Sequence, residues 1–178
     1  MKKTISLLAL LFACVGSSAS AGPDEKNVEM FLATKEGAGA SAGIVMISAG
    51  TNGLSFRLAL SGMKPMFMHG FHIHTNASCA PAEKNGKLVP ALGAGGHWDP
   101  ENTGNHRGPS GGGHMGDLPR IEADVAGRIE GTISVPHLND LNKLAGHALI
   151  LHAGADNYAD SPKKLGGGGA RLFCGIID

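Results

Sequence analysis

Short segments that alternate or are rich in β-branched residues, each cut off by turn-forming residues, constrain the fold of this chain more than any other feature. Val28–Leu32, Gly43–Ser48, Leu54–Leu60, Phe71–Thr75, Ile121–Val125, Arg128–Val135, Ala148–Leu151 and Ala170–Ile176 read as strands. Breaks such as Gly50-Thr51-Asn52-Gly53 and Ala126-Gly127 read as turns. Eight short strands with turn signals between many of them predict an all-β fold, an antiparallel sandwich or barrel. Only Leu138–Ala145 carries a brief helical pattern. Aromatic residues are 4% of the chain, so the core falls to Val, Ile, Leu, Ala and Met. The 28 glycines follow no three-residue period, which excludes collagen. No internal repeat or linker divides the chain.

The first residues read as an address. Met1, Lys2 and Lys3 give a positive start, Ile5–Val15 is apolar apart from Ser6, and Ala19-Ser20-Ala21 supplies a small-x-small cleavage site. The apolar run falls short of the roughly 20 residues that span a bilayer. Residues 1–21 therefore read as a cleaved secretory signal, and 22–178 as one domain without a membrane span. A retained anchor helix is one alternative. A lipoprotein is another, since Leu11-Phe12-Ala13-Cys14 loosely resembles a lipobox, with Phe12 a poor fit. Basic and acidic residues number 15 each, so losing Lys2 and Lys3 leaves 13 basic against 15 acidic residues and a formal charge of −2. No basic stripe marks a general nucleic-acid binder. Cleavage also removes Cys14 and leaves Cys79 and Cys174. An even number of cysteines in an exported chain reads as a disulfide, with two buried thiols as the alternative.

Two stretches are too long for hairpin turns. Asn76–Arg120 and Ala153–Gly169 carry little strand pattern and much Gly and Pro. Loops this long in a compact domain are usually functional or disordered, and the cysteine and histidines of the first argue for order. The run Gly166–Gly169 is followed by neither a Lys-Ser/Thr pair nor a helix, so it reads as a tight turn with close backbone approach, not a phosphate cradle.

Nine histidines are the compositional outlier. His72 and His74 lie two apart on a strand, so both imidazoles share a face and can reach one ion. His97, His106, His114 and Asp117 supply the three imidazoles and one carboxylate of a tetrahedral zinc site, in a loop flexible enough to wrap it. His152 ends an apolar strand and has no obvious reason to be there without a partner. His69, His137 and His147 read as structural or ordinary polar positions. Trp98 reads as packing, with an aromatic anchor at a dimer interface as the alternative.

Gly70-Phe71-His72-Ile73-His74, Cys79, Gly96-His97-Trp98-Asp99-Pro100, His114-Met115-Gly116-Asp117-Leu118 and Gly169-Ala170-Arg171-Leu172-Phe173-Cys174-Gly175 resemble, in order, the copper,zinc superoxide dismutases. Ala94-Gly95-Gly96-His97, Gly116-Asp117-Leu118-Pro119 and Leu165-Gly166-Gly167-Gly168-Gly169 resemble the exported bacterial branch. The resemblance implies an eight-stranded antiparallel Greek-key barrel with two long functional loops. It implies one copper per chain on His72, His74, His97 and His152, and one zinc on His97, His106, His114 and Asp117, with His97 bridging. It implies a Cys79–Cys174 disulfide, Arg171 as the anion guide beside copper, and Asp156 as the link between a copper-ligand and a zinc-ligand histidine. His69 resembles a family histidine that ties loops by hydrogen bonds.

The implied activity is dismutation of superoxide to oxygen and hydrogen peroxide in the periplasm, with His97 as proton carrier and no organic cofactor. Imidazole suits redox-active copper, whereas zinc has no redox chemistry. Without residues 1–21 the chain is slightly negative, so guidance of an anion must be local. Arg171 is the first candidate, and Lys163 and Lys164 on the second loop could extend the field. Two other classes compete: a non-catalytic copper or zinc carrier on the same fold, and an adhesion-type sandwich. A zinc-only binder has no use for His152 or Arg171, and an adhesin leaves the His/Asp set unexplained. The sequence leaves monomer and homodimer both open.

Overall fold

The computed structural model describes residues 24–178. The signal peptide assigned to 1–21, and Cys14 with it, lies outside the described residues. The strands are β1 (Glu25–Thr34), β2 (Gly37–Ala49), β3 (Leu54–Ser61), β4 (Met68–His69), β5 (Phe71–His74), β6 (Ala82–Lys84), β7 (Lys87–Val89), β8 (Ile121–Glu122), β9 (Arg128–Val135), β10 (His147–His152) and β11 (Arg171–Ile177). Seven form one antiparallel sheet in the order β5-β10-β11-β1-β2-β3-β9. β4 pairs with β8. Since β4 runs through Gly70 into β5, and β8 leads by a turn at Asp124–Arg128 into β9, the two ends of the seven-strand order are joined by the chain. The sheet curls into a barrel, as the strand pattern allows and the Greek-key fold implied by the family resemblance requires.

Alternation explains the core. On β3, Leu54, Phe56, Leu58 and Leu60 are buried while the residues between them are more exposed. Phe56 meets Phe71 edge-on, ring centroids 6.5 Å apart, at the centre of the main cluster. Burying each such Leu or Phe contributes roughly 1.5–3 kcal/mol. β5 and β10 differ because they are covered on both faces. Phe71, Ile73, Leu149 and Leu151 enter the barrel core. Ala148 and Ile150 join a second cluster with Ala91, Ala94 and Cys174, beneath the first long loop. That covered outer face is where the histidines lie.

Several boundaries differ from the sequence reading. β1 and β2 are longer than the apolar pattern, because backbone pairing continues into their polar ends. Ile121–Val125 is a strand only at Ile121–Glu122; the Asp124 carboxylate accepts the Ala126 and Arg128 N–H groups at 2.8 Å each and turns the chain. Leu138–Ala145 contracts to a 3-10 turn, Leu141–Leu144, whose Asp140 cap accepts the Asn142 N–H at 3.0 Å. The first long loop contains a small hairpin, β6–β7, absent from the sequence reading. Its turn, Asn85-Gly86, has φ of 54° and 73°, the positive values an Asn-Gly hairpin turn adopts.

Candidate metal centre

β5 and β10 place three histidines directly. Their register sets Ile150 opposite His72 and Ala148 opposite His74. With Phe71 and Ile73 turned inward, strand alternation sends His72 and His74 to the covered outer face. His152 ends β10, its N–H donating to the Gly70 carbonyl at 2.8 Å. The free edge of β5 is taken up by the first long loop through isolated bridges His72↔Asp117 and His74↔His97. Ile73 donates to Gly116 O and accepts from Trp98 N, both at 2.9 Å. Gly116 is needed there, since a Cβ would lie 2.2 Å from Ile73 O. One strand edge thus carries His97 and Asp117 to the side of His72 and His74.

Two overlapping groups of donors result. His72, His74, His97 and His152 offer ligand atoms within 4.8 Å of one another, and so do His72, His97, His106 and Asp117; all are buried. His97 is central, with the rings of the other five histidines 4.1 to 6.0 Å from its own. Its Nδ1 lies 2.8 Å from Asp117 Oδ1. His114 stands outside both groups as the most exposed member of the set, its Nδ1 3.3 Å from Asp117 Oδ1. His72 falls in both groups because its ring stacks closest to that of His97.

The far side of each imidazole is tied down, which selects the nitrogen left for an ion. His74 Nδ1–H donates to Gly95 O at 2.9 Å, and His152 Nδ1–H to Gly169 O at 3.2 Å, leaving their Nε2 atoms 3.3 Å apart. His72 Nε2–H donates to Asp156 Oδ2 at 2.7 Å, and His106 Nε2–H to Asp156 Oδ1 at 2.8 Å. Nδ1 of His72 and of His106 is then buried without a hydrogen-bond partner. His106 Nδ1 does lie 3.0 Å from Asp117 Oδ2, but not in hydrogen-bond geometry. Donors held this way fit a metal. Ligands about 2.0 Å from one tetrahedral ion stand about 3.3 Å from each other, and remote-nitrogen hydrogen bonds are what fix ligand histidines.

Charge agrees. Burial pushes His74 and His152 well below the ordinary histidine range, reinforced by neighbouring imidazoles. Burial also lowers His97, to about 4, against the pull of Asp117. His106 is buried too, yet the carboxylates of Asp117 and Asp156 beside it outweigh burial and raise it to about 9. Both carboxylates are held well below the usual range against burial, chiefly by the neighbouring His106, together with His97 at Asp117 and His72 at Asp156. The imidazoles of His72, His74, His97 and His152 are kept neutral and free to act as donors, and the positive charge that Asp117 and Asp156 draw to His106 is one a bound cation would supply in its place.

The second long loop brings Asp156. Gly166 lies against its carboxylate at φ 67°, where a Cβ would come 2.0 Å from Oδ1, in line with the close approach read from the glycine run. Arg171, half-buried at the start of β11, donates Nη1–H to Ala91 O at 2.6 Å and Nη2–H to Gly95 O, the carbonyl that also holds His74. Burial lowers its pKa somewhat. Cys79 and Cys174 are disulfide-bonded, Cα atoms 5.7 Å apart, tying the first loop to β11. His69 Nδ1–H donates to His152 O at 2.7 Å, the tie expected of it. His137 and His147 bond to the carbonyls of Met115 and Thr75, and Trp98 stacks on His147 with centroids 4.6 Å apart. Lys163 and Lys164 are exposed. The sequence reading missed Asp160, which accepts the His106 N–H at 2.8 Å, and the Arg120–Tyr158 pair behind Asp156.

Residues 41–177 match the family described as Copper/zinc superoxide dismutase (SODC). A relative named Superoxide dismutase [Cu-Zn], from Brucella abortus biovar 1, is 49% identical over 155 residues, covering 87% of this chain and 89% of its own. The solved structure titled Cu/Zn superoxide dismutase from Brucella abortus superposes with a TM-score of 0.85 at 49% identity, covering 87% of this chain and 100% of its own. The solution structure titled as the monomeric copper, zinc superoxide dismutase from Salmonella enterica gives 0.77 at 46% identity, covering 86% and 99%. With the family matched over most of the chain, the fold shared and the histidine sets assembled, the chain belongs to the copper/zinc superoxide dismutase family.

Proposed function

We propose that this chain is an exported superoxide dismutase, holding copper on His72, His74, His97 and His152 and zinc on His97, His106, His114 and Asp117. The observation that carries the reading is the central place of His97, with Nδ1 on the Asp117 side and its ring among those of His72, His74, His106, His114 and His152. His72 gives Nδ1 to the copper set because Asp156 takes its Nε2. His114 completes the zinc set from the loop.

Copper, when bound, accepts and returns one electron, while zinc contributes fixed charge and loop order without redox chemistry. The protein residues do the rest. One superoxide gives up an electron and leaves as oxygen. A second takes that electron and two protons and leaves as hydrogen peroxide. His97 Nε2, on the side away from Asp117, supplies one of those protons, and solvent the other. Arg171 stays charged at neutral pH, and its guanidinium is aimed by Ala91 O and Gly95 O. Fixed beside His74, it offers its remaining N–H groups to the anion.

A leader at 1–21 supports export, and the likeness of the glycine-rich motifs to the exported bacterial branch supports the periplasm as the compartment. A carrier on the same fold is the competing reading, and it leaves Arg171 without a task. The test is superoxide decay by pulse radiolysis on purified protein, with both metals quantified on the same sample. We expect about one copper and one zinc per chain and decay approaching the diffusion limit. Full metal content with no acceleration would leave a metal carrier.

A further inference from the structure

We propose that Arg120 and Tyr158 form a lock that positions Asp156, and through it His72 and His106, so that the pair governs how long zinc is retained. The inference rests on the metal assignment above. Four contacts tie Arg120, Tyr158 and Asp156 together across two loops, and two of them reach Asp156 itself. The Tyr158 phenol oxygen accepts the Arg120 backbone N–H at 3.0 Å. The Arg120 guanidinium lies over the Tyr158 ring, 5.0 Å from its centroid, and Nη1–H donates to the Asp156 carbonyl at 2.9 Å. The Tyr158 backbone N–H donates to Asp156 Oδ1 at 2.7 Å.

The backbone reinforces this arrangement. Tyr158 adopts a left-handed φ of 61°, unusual for an aromatic residue, and the same tight turn points its N–H back at the carboxylate. Its ring presses on Gly108 of the first loop, where a Cβ would come 2.5 Å from Tyr158 Cγ. Asp156 Oδ1 thus accepts from both His106 Nε2 and Tyr158 N, while Oδ2 accepts from His72 Nε2. Arg120 fixes the peptide of Asp156 and Tyr158 fixes its carboxylate, so both histidines keep their Nδ1 atoms aimed. Arg120 is exposed and Tyr158 half-buried, and neither belongs to the barrel core. Their role is confined to the loops, and the barrel does not depend on them.

The test measures zinc release from the copper- and zinc-loaded protein to a chromophoric chelator, alongside thermal unfolding of the metal-free form. Arg120→Ala is expected to speed zinc release about tenfold, the lower end of what loss of a ligand-orienting contact does. Arg120→Lys keeps a donor for the Asp156 carbonyl and should recover part of the loss. Tyr158→Phe keeps the ring but loses the acceptor, and should fall between wild type and Arg120→Ala. It carries the test if Arg120→Ala does not fold. Arg128→Ala, which removes an exposed Arg at the Asp124 turn, is expected to release zinc at the wild-type rate. Release within about twofold of wild type in both lock variants overturns the proposal. So does faster release that tracks an equal fall in metal-free melting temperature, or an Arg128→Ala effect of the same size. A wild-type protein that takes up no zinc removes the metal assignment and this inference together.

Discussion

Gly166 is a position where a single methyl group should disturb the histidine site directly. Its φ is 67°, and a Cβ there would stand 2.0 Å from Asp156 Oδ1, 2.6 Å from Cγ and 2.8 Å from His106 Nε2. Gly166→Ala therefore carries two penalties. Left-handed backbone costs an L-residue about 1–2 kcal/mol. Displacing the carboxylate breaks at least one of its bonds to His72 and His106, and a buried hydrogen bond to a charged group is worth about 1.5–3 kcal/mol. The total is about 2.5–5 kcal/mol. Gly167→Ala separates the two penalties, because Gly167 also has a positive φ, 84°, but a Cβ there meets only Lys163 carbons at an ordinary 3.6 Å. Urea unfolding of the metal-free proteins should place Gly167→Ala about 1–2 kcal/mol below wild type. Gly166→Ala should lie a further 1.5–3 kcal/mol or so below that. Two variants within about 0.5 kcal/mol of each other would refute the claim that the glycine is there to admit the carboxylate.

Other changes probe separate parts of the site. Reducing the Cys79–Cys174 bridge, which spans 95 residues, should lower stability by up to about 4–5 kcal/mol in the chain-entropy picture; urea curves with and without reductant measure it, and a loss under about 1 kcal/mol would contradict it. Arg171→Ala should lower kcat/KM about tenfold at low ionic strength and flatten its salt dependence, with copper retained; pulse radiolysis across a salt series checks this, and unchanged rates would remove Arg171 from guidance. His152→Ala should lose copper and keep zinc, whereas His114→Ala should do the reverse, as metal analysis after dialysis would show.

The sequence exposes what depends on neighbours along the chain and conceals what depends on neighbours in space. The alternation of Leu54–Leu60 reads directly as a strand because the barrel core lies on one side of it. His72 and His74 read as a pair because a strand repeats every two residues. Asn85-Gly86 carries a turn signal of its own, overlooked because the strands flanking it are short and polar. The Arg120–Tyr158 contact has no such signal. It joins residues on two loops and requires a positive φ at an aromatic position, which no local preference favours. The shared place of His72 is likewise tertiary, since it arises only when the first loop folds its Asp117 against β5.

The two halves of the site are built to different standards of rigidity. His72, His74 and His152 sit on paired strands whose other face is the barrel core, so their positions are fixed as firmly as the fold itself. His106, His114 and Asp117 sit on a loop, and a loop holds precise geometry only where something ties it down. The ties are what the rest of the chain supplies: the disulfide to β11, Gly116 against Ile73, Asp160 on the His106 backbone, and Asp156 backed by Gly166, Tyr158 and Arg120. Asp156 matters most among them because, among the described residues, its side chain alone bonds to a histidine of each kind, the strand-borne His72 and the loop-borne His106. Through it the rigidity of the barrel reaches the loop. Loosening any tie should therefore be felt first at the loop-borne donors and only later at the strand-borne ones.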